Sequence, residues 1–331
     1  MTSDQSNDSR IRDYRASERI VSTRHRALVD LGRHLRSTGY AFHAPTPSTH
    51  ALVNARPENQ LAKSLIDIFG WGRPFRTRFV SDGVLNMLED VGAIETSDGL
   101  ARSRVRYSTL DDLLFAHSAS PSDADDAVSF GPDTYRFARL LRQKLGEAEM
   151  PRTIIDIGCG SGVGGIFAGS RTDFCPNVLL CDVNEQALLL SRVNAELNDL
   201  PTAQFVYSDV LSGIDGCADL IIANPLYRCE PAYRPYRHGG ERGFELSQRI
   251  VEEGVGQLTT NGRLILYTAS PIVDTVDQFR ETIEPYLNST GNRFEYEEID
   301  PDVFGEELTM PAYAHVDRIS VVALTVFAAG A

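Results

Sequence analysis

The segment TIIDIGCGSGVGG, residues 153–165, runs a short apolar stretch into a cluster of glycines. Glycine at 158, 160 and 162 lets the backbone turn tightly and approach a ligand, with the N–H groups of a following helix facing it. Gly160, Gly162 and Gly165 also satisfy G-x-G-x-x-G, the spacing of dinucleotide sites. Two carboxylates bear on the choice of ligand. Asp156 stands two residues before Gly158 at the strand end. Beside a pyrophosphate its charge repels, whereas beside an ammonium or sulfonium it attracts. Asp182 closes the next apolar run, VLLCDVN, twenty residues after Gly162. A carboxylate there accepts hydrogen bonds from both hydroxyls of a ribose. Asp209, in the YSDV segment after a third strand, is placed to meet an adenine amine. The ordered set describes a pocket for a nucleoside that carries a cationic amino acid, which makes S-adenosylmethionine the expected cofactor.

After a fourth apolar run comes LIIANPLYR, with Asn224, Pro225, Leu226 and Tyr227 in succession. This turn resembles the N-P-P-Y motif of a methyltransferase group, and the resemblance implies an amide or aromatic amine as acceptor, a poor nucleophile because its lone pair is delocalised into the adjacent π-system. Two acceptors on its N–H groups localise that lone pair and aim it. The Asn224 side-chain oxygen and the Pro225 carbonyl are the natural acceptors. Tyr227 can stack on a planar substrate and face a sulfonium, a contact worth roughly 0.5–2 kcal/mol. Holding the reacting atoms in line contributes more, on the order of 7–11 kcal/mol in well-oriented systems. The chemistry requires neither a metal nor a dedicated general base, and the seven histidines show no ligand spacing.

These motifs resemble the class I S-adenosylmethionine-dependent methyltransferases of the N-P-P-Y group, nearest to the release-factor glutamine N5-methyltransferases. The matching pieces are FGPDTYRFARLL (130–141), DIGCGSG, NPLY and GGERGFELSQRI (239–250), spread from Phe130 to the C-terminus. The resemblance implies an α/β fold with a Rossmann-like seven-stranded sheet. It implies cofactor contacts at Phe130, Pro132, Thr134, Asp156, Gly158, Gly160, Asp182, Val183, Asp209, Val210 and Asn224. Asn224, Pro225 and Tyr227 become the catalytic residues, and a protein glutamine amide the methyl acceptor. Leu226 stands where the group has a second proline, so the Pro225 carbonyl survives but the loop loses one fixed φ. The alternatives are a small-molecule methyltransferase, a non-catalytic nucleotide- or DNA-binding regulator and, more distantly, a dehydrogenase.

The elements that must position these residues follow from patterning. Strands are expected at 153–157, 178–181, 204–207, 220–223 and 263–268, with helices between them at 185–198 and 244–258. This alternation is the sign of a parallel sheet. Two further β-rich runs, 293–299 and 319–327, predict a final hairpin at the sheet edge. They enclose an acidic stretch with seven Asp and Glu between 295 and 307, where Glu306, Tyr313 and His315 are candidates for a cationic substrate. Gly239 and Gly240 precede a helix and could lid the site. SASPSDADDA (118–127) reads as a linker, dividing the chain into a polar tail at 1–20, an N-terminal domain at 21–128 and a catalytic domain at 129–331. In the N-terminal part, helices are expected at 22–36, 59–69 and 80–91, AFHAPTPSTH as a loop, and one hairpin in GAIETSDGLARSRVRYSTL, a helical and winged-helix-like arrangement.

Composition bounds the rest. The 331 residues are 42% hydrophobic and 24% charged, with no run of about 18 apolar residues, which argues against a membrane-spanning helix. Five cysteines without a C-x-x-C pair fit a reducing cytoplasm. The net charge of −14 falls wholly after residue 150. Residues 10–78 reverse it, with 13 basic against 5 acidic side chains. Nucleic acid is therefore not the expected partner of the acidic half, and any contact with it would use the N-terminal part. Oligomeric state is not legible.

Overall fold

The computed structural model describes residues 22–119, 124–147, 149–227 and 242–329. The expected tail at 1–20, the middle of the 118–127 linker, and Cys229, His238, Gly239 and Gly240 lie outside the described residues. The chain forms two compact units, one of residues up to 122 with 127–132 and 192–199, the other of 123–126, 133–191 and 200–331.

The first unit opens with α1 (residues 22–37), which buries Leu28, Leu31 and Leu35. The stretch expected to be a loop instead starts a helix, α2 (Pro47–Asn54). Thr46 caps it by accepting from Thr49 N–H at 3.2 Å, and Pro47 occupies the first turn, where its missing N–H costs nothing. The single helix expected at 59–69 is instead a 3-10 turn (Pro57–Asn59) and a short α3 (Leu65–Phe69) capped by Ser64. After α4 (Asp82–Asp90) come two hairpins where one was expected: β1 (Ile94–Ser97) with β2 (Leu100–Ser103), and β3 (Val105–Leu110) with β4 (Leu113–Ser118). The second turns at Asp111, whose φ of 53° places it among the few non-glycine residues tolerant of that conformation.

The second unit is a mixed sheet between helices. Its strands are β5 (Thr153–Ile157), β6 (Asn177–Asp182), β7 (Ala203–Tyr207), β8 (Ala218–Ala223), β9 (Leu258–Val273), the two-residue β10 (Val276–Asp277), β11 (Phe294–Asp300) and β12 (Arg318–Phe327). The order is β11-β12-β9-β8-β5-β6-β7, a seven-strand path with β10 added to β9. Strands β5 to β9 run parallel, and β12 enters antiparallel between β9 and the edge strand β11. The helices are α5 (Pro132–Gly146), α6 (Val163–Gly169), α7 (Glu185–Leu197), α8 (Glu245–Val255) and α9 (Gln278–Thr290). Strands covered on both faces read as continuous apolar runs, and Ile154, Leu220, Ile221, Ile222, Leu264 and Leu266 are fully buried.

Register fixes where the strands end. Ile157 pairs with Cys181 on one side and Ala223 on the other, and Asp182 pairs with Tyr207. Strands β6 and β8 leave β5 in opposite directions across the sheet. The carboxyl end of β5 is thus the point of reversal, where open α/β sheets bind ligands.

Candidate active site

Gly158, Gly160 and Gly162 all adopt left-handed backbone, with φ of 63°, 53° and 78°. The turn they make is tied to β6. Cys159 N–H donates to the Cys181 carbonyl at 2.9 Å, and Gly160 N–H donates to Asp182 Oδ2 at 2.9 Å. Asp182 Oδ1 accepts from Asn184 N–H, also at 2.9 Å. Burial pushes the Asp182 carboxyl upward, while the N–H groups of Gly160, Asn184 and Val183 pull it back. The carboxylate therefore braces the turn before any ligand arrives.

Asp156 has a different neighbour from the one its position in sequence suggests. Its side chain is only 2% exposed and its Oδ2 accepts from Gly165 N–H at 2.7 Å. Burial raises its pKa to about 7; the Gly165 bond opposes that and the Asp182 charge adds to it. It anchors the first turn of α6 rather than presenting charge to the cleft. Gly165 in turn lies so close to β6 that a Cβ there would meet Leu180 Cδ2 at 2.5 Å. The third glycine of the G-x-G-x-x-G spacing is thus spent on helix–strand packing.

Asn224, Pro225 and Tyr227 follow the end of β8. Since Ile157 and Ala223 are register partners, Gly158 and Asn224 leave neighbouring strands at the same height, about 5 Å apart. Asn224 and Tyr227 are half-buried, Pro225 is buried, and Leu226 is 37% exposed. Tyr227 faces Phe304, ring centroids 5.8 Å apart and planes 42° apart. Phe304 reaches it because the 301–317 segment joins β11 to β12 at the same edge: Asp300 pairs with Val321, and Arg318 with Ile272 near the end of β9. Its own φ is 56°, a strained value for a bulky side chain. No spacing in the sequence singles out Phe304.

The remaining candidates are placed unevenly. Asp209 is exposed and its carboxylate is engaged by Arg249 Nη1 at 2.9 Å, not left open toward a base. Val210 beside it is buried with φ of 54°, strained for a β-branched residue. Val183 is half-buried next to Asp182, and Thr134 is half-buried in the first turn of α5. Phe130 and Pro132 belong to the first unit, where Phe130 stacks on His117 with centroids 5.1 Å apart. Three of the seven acids in the run are paired: Glu295 with Lys144 and Arg293, Glu298 with Arg318, and Asp300 with Arg136. Glu306 and His315 are exposed and Tyr313 is buried, so the run offers a cationic substrate less than its composition suggests.

Residues 136–282 match the family described as methyltransferase small domain. Over that span the second unit is similar to methyltransferases, and its mixed sheet has the expected Rossmann-like arrangement. Among curated proteins, the ribosomal protein L11 methyltransferase of Caldanaerobacter subterraneus subsp. tengcongensis is 32% identical over 136 residues, 40% of this chain and 43% of that protein. The release factor glutamine methyltransferase of Lactococcus lactis subsp. lactis is 30% identical over 172 residues, 46% of this chain and 58% of that one. The ribosomal RNA small subunit methyltransferase C of Shigella flexneri serotype 5b is 30% identical over 135 residues, 39% and 36% of the two chains. The chain thus spans about half the length, or less, of these relatives. Among the described residues no helix is long and apolar enough to cross a membrane.

The cofactor of such a methyltransferase domain is S-adenosylmethionine, and the residues present fit it. A Cβ built at Gly158 meets nothing within 4 Å, so the turn faces open space beside the Asp182 carboxylate. That carboxylate offers acceptor oxygens at the strand edge where a ribose would lie.

Proposed function

We propose that this chain transfers a methyl group from S-adenosylmethionine to a planar nitrogen, the side-chain amide of a protein glutamine. The observation that carries the reading is the register pairing of Ile157 with Ala223, which sets the N-P-L-Y turn beside the glycine turn. When bound, the cofactor supplies an electrophilic methyl carbon on a sulfonium. Gly158, Gly160 and Asp182 hold its amino-acid and ribose parts, with Val183 and Val210 flanking the base.

On the acceptor side, Asn224 Oδ1 and the Pro225 carbonyl take the two N–H groups of the amide. Fixing both protons keeps the nitrogen lone pair out of the carbonyl π-system and directs it along one line. Tyr227 and Phe304 give the planar group a flat apolar wall, and the strain at Phe304 is what sets its ring there. A carbon–nitrogen bond forms, the carbon–sulfur bond breaks, and the nitrogen gives up one proton to water. Leu226, in place of a second proline, leaves the Pro225 acceptor intact.

The N-P-x-Y turn and the Lactococcus lactis relative support the glutamine assignment. A second reading, an exocyclic amine of a nucleobase, is favoured by the Shigella flexneri relative, whose name places its substrate in ribosomal RNA. The expectation that nucleic acid is not a partner loses its support on that similarity. Asn224→Ala tests the core of the reading. It should still bind S-adenosylhomocysteine by calorimetry and lose transfer by about a hundredfold or more. Unchanged turnover would remove Asn224 from the mechanism.

A further inference from the structure

Two cavities lie side by side in the first unit, and methyl transfer uses neither. One, about 440 Å³, is lined by His50, Asn54, Gly72, Arg73, Pro74 and Arg102 among others. The other, about 490 Å³, is lined by Leu61, Arg76, Thr77, Arg78, Asp98, Gly99 and Leu100. These volumes fall in the range of small-molecule sites. Leu100 and Arg102 are two residues apart on β2, so one strand face supplies a wall to each cavity. Gly72, Arg73 and Pro74 line the first cavity and Arg76, Thr77 and Arg78 the second, from a segment, GWGRPFRTRFV, that holds no carboxylate. A bridge between Phe75 and Ala101 fastens that segment to β2.

The walls are rich in arginine. Arg73 is buried against Asp67 and donates from Nε to Asn54 Oδ1 at 2.9 Å, so it is structural. His50 stacks on Trp71, centroids 5.7 Å apart and planes 28° apart. Burial, with the charges of Arg106, Arg73 and Arg102, lowers the His50 pKa to about 4. The imidazole is therefore neutral at pH 7, chiefly because it is buried, with the arginine charges adding to the effect. Arg76, Arg78 and Arg102 are exposed, and their guanidinium groups enter no ion pair among the described residues. Phe79, next in line, is 45% exposed. Asp98 is the one carboxylate that lines either cavity.

Three exposed guanidinium groups beside the exposed Phe79 ring, over two concave surfaces, match a polyanion that carries flat rings. A duplex keeps its bases stacked inside and cannot fill such cavities. An acidic peptide has the charge but not the rings. We propose that this face of the first unit binds single-stranded nucleic acid, with bases in the two cavities and against Phe79, and phosphates on Arg76, Arg78 and Arg102. The proposal stands independently of which nitrogen the methyltransferase domain modifies.

The test is fluorescence anisotropy of a labelled single-stranded RNA of about 12 nucleotides, titrated with the full chain over a salt series. Trp71, the single tryptophan, gives a second readout in the same titration. Three phosphate contacts predict a log–log salt slope of about −2, at roughly −0.7 per contact on single strands. The double variant Arg76→Glu, Arg78→Glu should weaken binding at least about tenfold and flatten the slope by about 1.4. Arg139→Glu, an exposed site of the second unit, should leave affinity unchanged. Absence of binding at about 50 mM salt overturns the proposal. So does equal weakening by Arg139→Glu, or equal competition by an acidic peptide of the same charge.

Discussion

Asp156 offers the sharpest physical test of how the glycine turn is held. Its carboxyl rises from 3.8 to about 7 on folding, so the folded chain binds the proton more tightly than the unfolded chain does. The sign follows directly. The contribution to stability is present in full below about pH 4, falls as pH rises through the window, and is gone above pH 7. At about 1.4 kcal/mol per pH unit, the whole window is worth about 4 kcal/mol. Asp156→Asn removes the titration while its side-chain oxygen can still accept from Gly165 N–H. The variant should therefore gain on the parent as pH rises, by about 2–3 kcal/mol between pH 5 and pH 8. His50 and His117, lowered to about 4 and about 3 mainly by burial, act with the opposite sign because the unfolded chain binds their protons more tightly. They are common to both proteins and cancel in the difference. Urea unfolding followed by circular dichroism at a series of pH values measures it, since Trp71 belongs to the other unit. With a slope of about 1–3 kcal/mol per molar urea, the predicted change moves the midpoint difference by about 1 M. Parallel pH profiles for the two proteins would refute the assignment of a proton to Asp156.

Other substitutions probe the remaining parts of the site. Gly165→Ala would set a methyl group 2.5 Å from Leu180 Cδ2 and 3.0 Å from Val178 Cγ1. Overpacking of about 1–3 kcal/mol should exceed the helix gain of about 1 kcal/mol, and a variant as stable as the parent in urea would contradict this. Asp182→Ala removes the acceptor of Gly160 and Asn184 N–H groups, so calorimetry should show S-adenosylhomocysteine affinity reduced by at least about tenfold. Phe304→Gly relieves the left-handed backbone and deletes the ring facing Tyr227. Stability should change by less than about 1–2 kcal/mol while KM for the acceptor rises, and an unchanged KM would remove the ring from the acceptor wall.

The parallel sheet was legible because its strands are buried on both faces and read as apolar runs ending in glycine, aspartate or N-P. Asp182 and Asn224 stand out in the sequence for the same reason: each is the first polar residue after such a run. What periodicity does not carry is partner choice. Nothing in the sequence says that Asp156 turns inward to Gly165, that Asp209 is taken by Arg249, or that basic residues from α5 and β12 pair with three acids of β11. Phe304 sits in an irregular segment and was invisible, since only the antiparallel entry of β12 brings that segment to the rim. In the first unit, proline misled once and apolar spacing once. Pro47 reads as a loop residue but starts α2, and the Ser64 cap starts α3 only at Leu65 within a segment, 59–69, whose apolar spacing alone predicts one helix.

The central claim is methyl transfer at the paired ends of β5 and β8. It is tested most directly by incubating the protein with methyl-labelled S-adenosylmethionine and a cell lysate, then separating protein, RNA and small-molecule fractions. The prediction is label in the protein fraction with the parent chain and its loss with Asn224→Ala. No label above background in any fraction, from a chain that calorimetry shows to bind S-adenosylmethionine, would contradict it.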